Sequence, residues 1–111
     1  MTQEEARARL EEFRVLIDNV DQRIVALLNE RTQVVEEIGR VKRGSDLPIY
    51  EPRREDQVFA NVAGCNQGPM SEDALRRIFE RIIDEMRTIQ RLRMEAAGQA
   101  SNPAHLGETD K

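Results

Sequence analysis

Residues 13–31 read FRVLIDNVDQRIVALLNER, from Phe13 to Arg31. Phe13, Ile17, Val20, Ile24 and Leu27 follow one another in alternating steps of four and three residues. That spacing lines one stripe of an α-helix and does not fit the two-residue alternation of a strand. The stripe extends back to Leu10 and resumes beyond Arg31 at Val34, Ile38 and Val41. Ahead of it, Thr2 and Glu5 have the form of a capping box, in which each side chain can satisfy a free backbone N–H. Behind it, Gly44-Ser45-Asp46-Leu47-Pro48 is a stop: Gly44 suits the C-terminal turn and Pro48 bars continuation. The pattern predicts one helix over Gln3 to Arg43, ~60 Å long at ~1.5 Å per residue. A compact chain of 111 residues has a radius of gyration of only ~13 Å. Such a helix overhangs anything that one copy can wrap around it, so a partner chain is expected.

The remainder reads as two further helices. Pro52 can open the second, which carries Val58, Phe59 and Val62 and ends near Asn66-Gln67-Gly68-Pro69. Ser71 is an N-cap for the third, with Glu72 and Asp73 at the positive end of its dipole. Leu75, Ile78, Phe79, Ile82, Ile83, Met86 and Ile89 continue at helical spacing. After Met94 the pattern fades, giving a domain over residues 1–95 and a disordered tail over 96–111. The expected fold is all-α, a three-helix chain with one very long N-terminal helix.

Composition narrows the function. Charged residues are 34% and the net charge is −4, so there is no basic excess to neutralise nucleic-acid phosphates. Cys65 is the only cysteine, which leaves no intrachain disulfide and no thiolate cluster, and suits a reducing compartment. No apolar run approaches the ~20 residues that span a bilayer, and Met1 to Leu10 holds no apolar core of a signal peptide. A cytoplasmic protein without membrane or nucleic-acid partners is the expectation. His105, the one histidine, falls in the tail. No Ser/His or Cys/His constellation, metal-ligand set or glycine-rich phosphate loop is present, so neither metal nor cofactor is expected.

Some polar residues interrupt the apolar stripes. Arg31 stands between Leu27 and Val34, where an apolar residue belongs, and a charge taken from water needs a partner. It can also be read as a register-setting residue, or as one whose stem reaches solvent. Lys42 lies eleven residues on, ~20° away on the same face. Two aligned cations suggest an anion held between helices. Gln90 closes the third stripe beside Ile89. Arg53-Arg54-Glu55 opens the second helix, where an Arg faces the unfavourable end of the dipole. Gly39, inside the first helix, can mark a close approach. Taken singly, surface charge or a boundary position explains most of these.

The ordered set resembles the AroQ-type chorismate mutases. The run Phe13-Arg14, Ile17-Asp18, Asp21, Ile24, Leu27-Leu28 and Glu30-Arg31 is similar to that family's opening helix. Ile38-Gly39 with Lys42, then Pro48-Ile49-Tyr50 with Pro52 and Arg54-Glu55, continue the likeness. Ile78-Phe79, Ile82-Ile83 and Gln90 complete it. The resemblance covers Leu10 to Gln90.

It implies an intertwined helical-bundle homodimer with shared active sites, acting without cofactor on chorismate in aromatic amino acid (Phe/Tyr) biosynthesis. The implied reaction is an intramolecular Claisen rearrangement to prephenate, which needs positioning and stabilisation of charge on the ether oxygen. By similarity, Arg14 and Arg31 grip the substrate carboxylates. Lys42 bridges a carboxylate and the ether oxygen, and Gln90 donates a second hydrogen bond to that oxygen. Glu55 accepts from the substrate hydroxyl, Arg54 orients that end, and Glu51 meets the hydroxyl through its backbone. Met86 stands where the family often has a Ser that touches a carboxylate, and it cannot supply that hydrogen bond. Arg14 and Lys42 are 28 residues apart, ~42 Å along one helix, so a shared site needs two antiparallel first helices. The alternatives are an isochorismate-pyruvate lyase of the same fold, in which an apolar residue replaces Glu55, a non-catalytic helical dimerisation module, and a mutase domain cut from a larger bifunctional enzyme.

Overall fold

The computed structural model describes the backbone of residues 1–100 and the side chains of residues 1–98. It contains three helices and no strand among these residues: α1, Gln3–Ser45; α2, Pro52–Cys65; and α3, Glu72–Ala100. No helix among them is long and apolar enough to cross a membrane. The chain divides into two units, Met1–Val34 and the remainder from Val35 onward.

The first unit is helical from Gln3. Its start is as the sequence dictates: the Glu5 N–H donates to Thr2 Oγ1 at 3.1 Å, and the Ala6 N–H to the Thr2 carbonyl at 3.0 Å. The apolar stripe exists but faces water. Phe13 and Ile17 are each 57% exposed and Leu27 is 63% exposed.

The second unit holds the remainder of α1 with α2 and α3. In this part of α1 the residues turned from solvent include Val35, Gly39 and Lys42, whereas Ile38 and Val41 on the stripe are exposed. The helix ends two residues later than the sequence suggests, and Asp46 rather than Gly44 takes the left-handed conformation, with φ 59°. The Leu47 N–H then reaches back to the Lys42 carbonyl at 2.9 Å, closing a Schellman turn. An aspartate tolerates that backbone better than most residues.

α2 begins at Pro52, whose missing N–H is not needed there. Val58, Phe59 and Val62 of α2 are half-buried, as are Leu75, Phe79 and Ile82 of α3. The Arg76 guanidinium lies 4.1 Å from the centre of the Phe59 ring, joining the two helices by a cation–π contact. Ile83, Met86 and Gln90, spaced three and four residues apart on α3, are the most buried side chains among the described residues. Between α2 and α3, Asn66 uses both ends of its amide. Its Oδ1 accepts the Gly68 N–H at 3.0 Å and its Nδ2 donates to the Met70 carbonyl at 2.8 Å. Gly68, at φ 75°, supplies the backbone that this turn needs.

α3 does not fade at Met94; it continues to Ala100, so residues 96–100 of the expected disordered tail are helical. Glu95-Ala96-Ala97 is a run of strong helix formers, and helix needs no core to face once propensity suffices. Residues 101–111, His105 among them, lie outside the described residues.

The start of α3 has one local anchor that can be tested. Ser71 Oγ accepts the Ala74 N–H at 3.1 Å. Ser71→Ala is expected to lower unfolding stability by about 1 kcal/mol and Ser71→Gly by only a few tenths, read from urea midpoints at fixed protein concentration.

Candidate active site

The second unit holds three groups of polar side-chain contacts, drawn from different places in the sequence. Lys42, in the last turn of α1, keeps only 12% of its side-chain exposure. Its ammonium donates to the Ile49 carbonyl at 3.2 Å and lies 2.8 Å from Glu51 Oε1. Both acceptors come from the connection to α2. Glu51 is also the N-terminal boundary residue of α2, yet it makes no side-chain cap. Its carboxylate is committed to Lys42 instead.

Gln90 approaches α1 earlier along that helix than Lys42. It is 7% exposed, and its Nε2 donates to the Val35 carbonyl at 3.3 Å. Gly39 sits against it: a Cβ at position 39 would lie 3.8 Å from Gln90 Cγ and 3.5 Å from a guanidinium nitrogen of Arg43. Both are ordinary contact distances, so a methyl group would fit beside the glutamine side chain. A turn beyond Gln90 on α3, Arg93 pairs with Glu36 of α1 at 2.6 Å.

The third group surrounds Glu55. This carboxylate, 22% exposed, stands in the first turn of α2 with Oε2 3.3 Å from Nε of Arg87 on α3. Arg87 also binds Asp84 at 2.6 Å and lies 5.2 Å from the centre of the Tyr50 ring. Tyr50 is flanked by Ile49 and Glu51, the two partners of Lys42. Lys42 and Glu51 are therefore linked through the neighbouring Tyr50 to Arg87 and Glu55, and Arg87 is a member that the sequence reading missed. Its signal was faint: a charged residue three positions before Gln90, among many other arginines.

Arg54 is exposed and reaches along α2 to Gln57 Oε1 at 3.3 Å. Met86 is packed in the core with Ile83. In the first unit, Arg14 is exposed and paired with Glu11 at 2.6 Å, and Arg31 is half-buried. Among the described residues, no three His, Cys, Asp or Glu side chains form a group fit to hold a metal ion.

This arrangement offers a partly desolvated ammonium, a buried amide donor and a carboxylate acceptor. Several known proteins with similar chains are named for chorismate mutase. A relative from Aquifex aeolicus, a bifunctional chorismate mutase/prephenate dehydratase, is 34% identical over 86 residues, covering 74% of this chain and 24% of its own. A chorismate mutase from Methanocaldococcus jannaschii is 26% identical, over 78% of this chain and 89% of its own length. The structure of a chorismate mutase (form II) from Thermus thermophilus superposes with a TM-score of 0.73 at 32% identity, covering 75% of this chain and 94% of that one. The chain spans between about a fifth and a third of the length of the bifunctional relatives. The family model for chorismate mutase type II matches residues 13–91. Over residues 13–91, from Phe13 to Arg91, the chain belongs to the type II chorismate mutase family.

Proposed function

We propose that this chain catalyses the rearrangement of chorismate to prephenate, as a homodimer, in a cytoplasmic route to aromatic amino acids. The observation that carries the reading is a Lys42 ammonium at 12% exposure together with a Gln90 amide at 7%, two donors withdrawn from water in the same unit. The reaction breaks a C–O bond while forming a C–C bond within one molecule. No proton moves and no covalent intermediate forms, so the catalyst must hold a compact conformer and meet negative charge on the ether oxygen.

In this reading Lys42 exchanges Glu51 for a substrate carboxylate and the ether oxygen. Both are anionic or become so, and the ammonium is already stripped of most of its water. Gln90, its amide oriented by the Val35 carbonyl, supplies the second donor. Glu55 accepts the substrate hydroxyl, a role that favours the mutase over a lyase with an apolar residue there. Arg14 and Arg31 are proposed to bind carboxylates, with Arg54 turning in from its exposed position and the Glu51 backbone meeting the hydroxyl. Met86, buried in the core, leaves its end of the substrate to these arginines.

The homodimer is supported by the apolar stripe of the first unit. Phe13, Ile17 and Leu27 are each more than half exposed, and a second copy would remove that surface from water.

Purified protein given chorismate should form prephenate, with turnover unchanged by chelators. A product other than prephenate, or activity that disappears on chelation and returns with a divalent ion, contradicts the proposal. Lys42→Ala and Gln90→Ala should each reduce kcat by ~100- to 1,000-fold while the circular dichroism spectrum is retained. Near-normal turnover in either folded variant would remove it from the ether oxygen.

Subunit exchange tests the shared site. Arg14→Ala and Lys42→Ala proteins, each inactive alone, should regain activity when mixed, because one site of a mixed dimer collects both defects and the other has neither. Random exchange of equal amounts gives about a quarter of wild-type activity for a two-fold dimer. No recovery despite exchange demonstrated by mass spectrometry would put Arg14 in its own chain's site or outside it.

A further inference from the structure

We propose that Arg87 is a positioning residue for Glu55, a part of the site that family membership does not itself assign; the inference rests on the mutase reading. Three contacts meet at its guanidinium: Asp84 one turn earlier on α3, the face of Tyr50, and Glu55 across the helix interface. The Asp84 contact holds one end of the fork within α3. Nε is then left buried, 3.3 Å from Glu55 Oε2, close enough for an ion pair but without the alignment of a hydrogen bond. A buried N–H with no acceptor is costly. A small rotation of the Glu55 carboxylate would satisfy it.

Charge gives the arrangement its purpose. The proposed substrate is a dicarboxylate, and an isolated carboxylate at position 55 would repel it in a partly dehydrated site. Arg87 offsets that charge without using both oxygens. Oε2 faces the guanidinium, and Oε1 remains to accept the substrate hydroxyl. Filling the site would remove water from Glu55, so rotation toward Nε gains strength as the substrate binds. Tyr50, stacked against the same guanidinium, ties this adjustment to the segment that carries the partners of Lys42. Arg87 touches no substrate in this scheme. It acts through Glu55.

The test compares chorismate with its analogue lacking the ring hydroxyl, using wild type, Arg87→Gln, Arg87→Lys, Glu55→Gln and the Arg87→Gln/Glu55→Gln pair. Arg87→Gln should reduce kcat/KM for chorismate by ~10- to 100-fold, the range of a lost charge-assisted hydrogen bond. Its effect on the deoxy analogue should be several-fold smaller, since that substrate shares the repulsion by an uncompensated Glu55 but makes no hydroxyl contact with it. The double variant should be no worse than Glu55→Gln alone, and Arg87→Lys should recover part of the chorismate activity. Equal losses on both substrates, or losses that multiply in the double variant, would reduce Arg87 to a structural ion pair and overturn the inference. So would wild-type behaviour of Arg87→Gln when Glu55→Gln is impaired. Should Arg87→Gln fail to fold, the ratio of the two substrates with Arg87→Lys decides, an unchanged ratio overturning the proposal. Failure of the mutase reading itself is distinguishable: wild type would not convert chorismate, or Glu55→Gln would leave its conversion intact.

Discussion

An ammonium kept from most of its water must be given oxygen atoms in exchange. At Lys42 those oxygens are the Ile49 carbonyl and the Glu51 carboxylate, both in the short connection Asp46 to Glu51. That demand organises its neighbours. It draws the connection back over the end of α1, which the left-handed Asp46 makes possible. It diverts Glu51 from capping α2, leaving Pro52 to begin the helix without needing an N–H partner. α2 therefore starts beside the site, and its first turn places Glu55 within reach of Arg87. Removing one partner of such a pair leaves an uncompensated charge, a larger loss than the pair's net contribution.

The hydrophobic core is small by comparison. Ile83 and Met86 are the buried apolar side chains among the described residues, and Gln90 shares their stripe. A core of this size is thin for a domain of about a hundred residues, which normally buries well over half of its unfolded surface. The missing burial is on α1, where Phe13, Leu16, Ile17, Val20, Ile24 and Leu27 all remain exposed. In the proposed dimer the same stripe that would stabilise the fold would also bring a second Arg14 toward Lys42. Stability and catalysis would then depend on one association.

What could be read in advance divides along physical lines. The starts of the helices were legible because capping is local: Thr2, Pro52 and Ser71 each declare a helix within three or four residues. The end of α3 was not, since fading periodicity marks the loss of a buried face and leaves the alanine-rich backbone free to stay helical. Lys42 stood out by its alignment with Arg31, eleven residues earlier on the same face, and Gln90 only by its place at the end of the third stripe. Arg54 and Glu55 arrived together in one motif, yet adjacent helical residues point ~100° apart, and Glu55 is the one turned toward α3. Arg87 was hard to single out among the many arginines of the sequence. Its meaning comes from Glu55 and Tyr50, more than thirty residues away.

The turn joining α2 to α3 carries a chemical vulnerability unrelated to the site. Asn66 holds it by presenting an oxygen to the Gly68 N–H and an NH2 group to the Met70 carbonyl. Hydrolysis of that amide to aspartate, an ordinary event of protein ageing, would keep the shape of the side chain and the first of these bonds. The second would become two oxygens facing each other with no hydrogen between them. A change of about one dalton, too small to disturb any packing, would thus unfasten one of the two bonds by which Asn66 holds the turn.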